Sequence, residues 1–97
     1  MPAAYLIAQI DITDEETYAK YREQVPATVA QYGGEYLTRG GRFESLEGAA
    51  PPPRTVILKF PSFEQAKAWY DSDEYAGPKA VRKSASTGNV ILVEGIE

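Results

Sequence analysis

The chain has 97 residues, with 10 Lys plus Arg against 14 Asp plus Glu, a net charge of −4, and neither cysteine nor histidine. That length makes one domain, residues 1–97. The missing residue types exclude disulfides, Cys/His zinc sites, thiolate or imidazole haem ligation, and mechanisms built on a Cys nucleophile or a His base. The acidic balance argues against nucleic acid as a partner.

Ala3 to Ile12 reads as a strand, with Leu6, Ala8, Ile10 and Ile12 on one face and Tyr5, Ile7, Gln9 and Asp11 on the other. Its apolar run, Ala3 to Ala8, is six residues long, against about 20 for a membrane helix. No basic region precedes it, so no membrane span and no secretory signal is predicted, and the expected compartment is cytoplasmic. Thr13-Asp14-Glu15-Glu16 fits a capping box opening a helix, which also accounts for the clustered acids without a metal. Tyr18, Tyr21, Val25, Val29 and Tyr32 give that helix one apolar stripe. Pro26 inside the stripe is expected to kink or split it, and Gly33-Gly34 to end it.

Glu35 to Arg39 is a short second strand, followed by an irregular connection from Arg42 to Pro53 in which Phe43 to Leu46 is a candidate strand extension. Arg54 to Phe60 is the third strand, with Val56, Leu58 and Phe60 on one face. Ser62-Phe63-Glu64-Gln65 is a second capping box, and Phe63, Ala66, Trp69 and Tyr70 are the expected buried side of its helix. Asp71 to Gly77 reads as a break, with Pro78 starting a shorter helix to about Ala85. Asn89 to Glu94 is the last strand; being apolar on both faces, it is expected to lie centrally in the sheet, covered twice.

This order predicts an α+β, ferredoxin-like β-α-β-β-α-β protomer with a four-stranded antiparallel sheet. Helices cover only one side of such a sheet. The other side carries Tyr5, Ile7, Ile57 and one row of the last strand, more apolar surface than a monomer leaves wet. A two-fold homodimer, packed sheet to sheet over roughly 1,200–2,000 Å² in total, is the expected solution.

A small organic molecule in a pocket beside the sheet is the expected ligand. Gln9 and Lys59 are polar groups on the open face, suited to its edge. Arg39, before Gly40-Gly41, is placed to clamp a carboxylate or enolate oxygen, or to pair with Glu47 or Glu35; it faces the helices if Leu37 does, unless a bulge flips it. Glu47 is a candidate general base, or a solvated loop acid. Tyr18 and Tyr21 either line a cavity or pack the core with wet tips. Trp69, Tyr70 and Tyr75 either close a pocket around an aromatic substrate or pack the second helix. Lys79, Arg82 and Lys83 share a helical face that holds an anion or stays solvated. No cofactor and no metal is expected. The chemistry left to such a site is proton abstraction beside a carbonyl or cofactor-free oxygenation of an electron-rich ring, with Arg39 at the oxyanion; a non-catalytic binding or sensor module and a structural dimer with a sealed interior are the alternatives.

Tyr-Gly-Gly at 32–34, Arg-Gly-Gly at 39–41, Leu-Glu-Gly at 46–48, Phe-Pro-Ser at 60–62, Trp-Tyr at 69–70, Glu-Tyr at 74–75, Arg82 and Val-Glu-Gly at 93–95 stand in order along nearly the whole chain. This pattern resembles the domain of unknown function 1330 family, within the dimeric α+β barrel superfamily. The resemblance implies a ferredoxin-like protomer and a sheet-to-sheet dimer, and points to Arg39, Glu47, Tyr75 and Arg82 as the residues least explained by packing. It names no reaction. Relatives in the superfamily include cofactor-free quinol monooxygenases, lactone isomerases, and haem enzymes whose His ligand is missing here. The family pattern has an acid where this chain has Lys59.

Overall fold

A computed structural model describes residues 2–97. The element order is β1 (Ala4–Ile12), α1 (Glu15–Gln31), β2 (Glu35–Arg39), β3 (Arg54–Phe60), α2 (Phe63–Tyr70), α3 (Asp73–Ala85) and β4 (Ser86–Glu94). The four strands form one sheet in the order β2-β3-β1-β4, with every neighbouring pair antiparallel. Two helical crossovers, each returning two places away in the sheet, make the ferredoxin-like split β-α-β fold, with the second crossover divided into α2 and α3. The shortest dimension is 17 Å, the thickness of one sheet and one helix layer.

The core lies between those layers. Ala4, Leu6, Ala8 and Ile10 from β1 meet Leu58 and Phe60 from β3, Tyr18, Tyr21, Val25 and Val29 from α1, and Ala66, Trp69 and Tyr75 from α2 and α3. The strand period of two and the helix stripe both deliver these residues to one side. Full burial of each large apolar side chain is worth roughly 1.5–3 kcal/mol.

Local chemistry sets the element ends. α1 starts one residue later than the sequence suggests: Asp14, not Thr13, is its N-cap and accepts from the Thr17 amide. α1 ends in a Schellman turn, in which the Gly33 amide bonds Ala30 O, the Gly34 amide bonds Val29 O, and Gly33 takes φ +79°. Ser62 caps α2 as expected. α3 departs more. It begins at Asp73 under a Ser72 cap, and Pro78 sits inside it rather than at its start. The Ser72 hydroxyl accepts from the Tyr75 amide and donates to Trp69 O, so one buried side chain ends α2 and starts α3. Ser72→Ala is expected to cost about 1 kcal/mol in chemical denaturation; a loss of only a few tenths, as at an ordinary surface site, would contradict this role.

Four further expectations are corrected. β4 is an edge strand, not a central one, and only its Val90 and Leu92 row packs against the core. Phe63 is exposed, leaving Ala66 and Trp69 as the buried side of α2. Phe43 to Leu46 forms no strand; residues 40–50 run as an exposed loop. Pro26 does not split α1, which continues through it.

Candidate functional site

A cavity of about 30 Å³ lies between the sheet and the helices. Arg22, Arg39, Arg54 and Arg82 line it, with Tyr18, Tyr21, Tyr36 and Tyr75. Its apolar walls include Leu6, Val25, Val56 and Trp69. That volume holds a water or two at about 10–15 Å³ each. At one end the cavity adjoins a surface depression of about 380 Å³, lined by Ile10, Asp11, Ile12, Glu15, Gly40 and Pro53; Arg22 and Arg54 line both spaces.

Each cation reaches this place for a local reason. Arg54 continues the helix-facing row of β3, two residues before Val56. Gly40 makes room for it: this glycine has φ +70°, and a Cβ there would run into the Arg54 guanidinium. Arg22 lies on the inward side of α1, four residues after Tyr18 and three before Val25. Arg39 arrives through a bulge. Tyr36 pairs with Leu58, Thr38 with Ile57 and Arg39 with Val56, so Leu37 is the extra residue and Arg39 joins Tyr36 on the helix side. Its Nη2 then donates to Arg22 O at 2.7 Å. That carbonyl is free to accept because Pro26, four residues on, has no N–H to give it. Arg82 comes from α3 and is only 8% exposed.

The electrostatics are unusual. No carboxylate lines the cavity, and among the described residues the single ion pair is Lys67–Asp71, on the surface at 2.8 Å. The guanidiniums rest instead on rings and hydroxyls. Arg22 and Arg54 lie 5.5 and 5.6 Å from the Tyr18 ring, and Arg39 lies 4.8 Å from the Tyr36 ring. Arg82 Nε donates to the Tyr75 hydroxyl at 3.3 Å, and that hydroxyl shares a 2.8 Å hydrogen bond with Tyr21. Arg54 Nε is buried and, among the described residues, has no hydrogen-bond partner. A cation–π contact returns about 0.5–2 kcal/mol, against several kcal/mol for taking an ion out of water. Burial, with Tyr75 alongside, pushes the Tyr21 phenol far above its ordinary range, and burial likewise raises Tyr75 and Tyr36. These hydroxyls are therefore neutral donors, not bases.

The cavity thus brings together Arg39, Tyr18, Trp69, Tyr75 and Arg82 of the residues expected from sequence. It does not include Gln9 and Lys59. Both lie on the opposite, open face of the sheet, where Gln9 pairs with Thr55 and Asn89, and Lys59 with Tyr5 and Glu35. Glu47 stands exposed in the loop after β2. Lys79, Arg82 and Lys83 do not act as one face: Lys79 Nζ caps Tyr70 O at 2.9 Å, Arg82 is buried and Lys83 is exposed. Arg22, Arg54 and Tyr36 also line the cavity, beyond the residues expected from sequence. The first two were legible, Arg54 from the β3 alternation and Arg22 from the α1 stripe; Tyr36 and Arg39 depend on the bulge. Among the described residues no group of His, Cys, Asp and Glu is arranged to hold a metal ion, and no helix is long and apolar enough to cross a membrane.

The model of the domain of unknown function (DUF1330) matches residues 3–96. The chain belongs to the DUF1330 family. This DUF1330 protein is similar to a protein of unknown function from Rhodopseudomonas palustris, RPA0582, with TM-score 0.79 and 14% identity over 99% of this chain and 84% of that one. It is also similar to SnoaB, a cofactor-independent oxygenase from Streptomyces nogalater, with TM-score 0.66 and 7% identity over 100% and 96%. A putative antibiotic biosynthesis monooxygenase from Nitrosomonas europaea aligns with TM-score 0.56 and 14% identity over 99% and 93%. At these identities the likeness shows the fold alone, a ferredoxin-like α+β fold. No curated protein matches the chain.

Proposed function

We propose that this protein works as a homodimer in which each protomer binds a small organic molecule at the cavity between its sheet and α1 and α3, with most of the molecule in the adjoining surface depression. One observation carries this reading: convergent guanidiniums and phenols surround an apolar space that continues into a surface depression. A purely structural core gains from four cations there only the Arg39–Arg22 O and Arg82–Tyr75 hydrogen bonds and the ring contacts, against the cost of desolvating them.

Two uses of the site follow. As an enzyme of the cofactor-free isomerase or monooxygenase kind, it would place Arg39 against an oxyanion forming on the substrate, as the likeness to a cofactor-independent oxygenase suggests. As a binding or sensor module it would retain its ligand unchanged. The absence of carboxylate, imidazole or thiol from the lining favours holding or polarising the ligand over abstracting its proton. An enzyme using Glu47 as base requires the loop after β2 to bring it to the mouth.

Native mass spectrometry of the untagged protein tests the site. The expected spectrum is a dimer carrying a discrete small molecule, which the cavity-filling Val56→Phe variant loses while remaining dimeric. A dimer that is empty as purified, together with a Val56→Phe variant more stable than the parent, would mean that the space is a packing void.

A further inference from the structure

We propose that the ligand is a small organic monocarboxylate whose carboxylate enters the cavity against Arg54 and Arg82, while its body occupies the outer depression. The inference rests on the cavity being a ligand site and adds the chemical class.

The argument starts from a charge imbalance. The chain as a whole is acidic, yet four of its five arginines line one cavity that no Asp or Glu lines. A guanidinium in a protein does not lose its proton, so its charge must be met by something. Arg82, nearly buried, has one long bond to a phenol. Arg54 has a buried Nε with no partner among the described residues. The tyrosines beside them are held neutral, so the lining contains no internal counter-charge. A bound anion supplies what is missing: the fork of a guanidinium matches the two oxygens of a carboxylate, and Tyr21 and Tyr75 add hydroxyl donors.

Three features narrow the anion. The first turn of α1 lies near the site, but the Asp14 side chain already accepts from the Thr17 amide and Asp14 O from the Tyr18 amide, and Asp14, Glu15 and Glu16 are acidic there, so α1 offers no open row of amides of the kind that cradles phosphate. The inner space, about 30 Å³, suits a carboxylate head and not a ring. The outer depression contains Ile10, Ile12 and Pro53 for an apolar body, but also Asp11 and Glu15, which repel a second negative charge there. A monoanion with an apolar tail fits; a dianion does not.

Trp69 is the single tryptophan and lines the cavity, so its fluorescence reports occupancy. Titrations would use benzoate, cinnamate and pyruvate as probes, with benzamide as the neutral counterpart of benzoate, terephthalate as the dianion, and inorganic phosphate. The expected result is saturable binding of at least one monocarboxylate, at least tenfold weaker binding of benzamide and terephthalate, and at least a tenfold loss in Arg54→Met. Arg22→Gln, at a half-exposed position, is expected to weaken binding while leaving the far-UV circular dichroism unchanged, which keeps the test open if Arg54→Met misfolds. Benzamide binding as well as benzoate, in competition with Val56→Phe filling, would overturn the charge assignment and leave the ligand site standing. Phosphate binding as tightly as the carboxylates would overturn the organic assignment. Silence from every probe, charged and neutral, would overturn the inference and weaken the site reading with it.

Discussion

Trp69→Ala should destabilise the protein by about 3–5 kcal/mol, a large part of the roughly 5–15 kcal/mol that holds a domain folded. Trp69 is 1% exposed and touches each part of the core. It stacks on Tyr75 with centroids 4.0 Å apart, meets Phe60 at 5.4 Å, and donates its indole N–H to Thr28 Oγ1 at 3.0 Å. Truncation removes the apolar area and leaves a void that α1, α2 and β3 cannot close together, because each is tied elsewhere by its own caps and ladders. The measurement is urea unfolding followed by far-UV circular dichroism, since the variant has no tryptophan. A loss below about 1 kcal/mol, typical of a milder substitution, would mean the core collapses around the gap. The same change reaches the site. Tyr75 is held by the Trp69 stack, and its hydroxyl links Tyr21 to Arg82.

Much of the fold was legible because its signals are local. The β1 alternation, the α1 stripe, the glycine pair after Tyr32 and the Ser62 cap each depend on residues within a few positions, and each was read from that spacing. The misreadings came from competition or from distance. Pro78 is a fair first residue for a helix, but the Ser72 cap starts α3 at Asp73, five residues earlier, although Asp73 to Gly77 reads as a break by composition. β4 is apolar on both faces, as a central strand is, yet it lies at the edge. The site divided in the same way. Tyr18 and Trp69 follow from periodicity, whereas the side taken by Arg39 turns on one extra residue, Leu37, and the role of Pro26 in freeing Arg22 O appears only when β2 and α1 are brought together. Gln9 and Lys59 lie on the open face, and the cavity lined by the arginines lies behind the sheet.

Ile91→Glu should convert the proposed dimer into a monomer at micromolar concentration. Ile57, Ile7 and Ile91 stand directly opposite one another across β3, β1 and β4, forming one apolar row on the open face. Tyr5 and Val93 make a second pair beside it. Ile91 and Val93 are 53% and 45% exposed in the single protomer, so β4 carries an outer row that resembles a covered strand only if a second sheet lies on it. The proposed dimer would also account for a strand that is apolar on both faces at the sheet edge, since a second sheet would cover its outer face. A carboxylate at position 91 costs the protomer little, since the side chain already meets water. In a two-fold interface it buries two unpaired charges, which weakens association by several kcal/mol, a hundredfold or more in the dissociation constant. Sedimentation velocity on the parent, Ile91→Glu and the helix-side control Lys83→Glu separates the outcomes. A dimeric parent, a dimeric control and a monomeric Ile91→Glu with unchanged circular dichroism are expected. A parent that is monomeric at tens of micromolar, or an Ile91→Glu that stays dimeric, would place the interface elsewhere. The cavity would survive that result, because it lies behind the sheet and takes no lining residue from the open face.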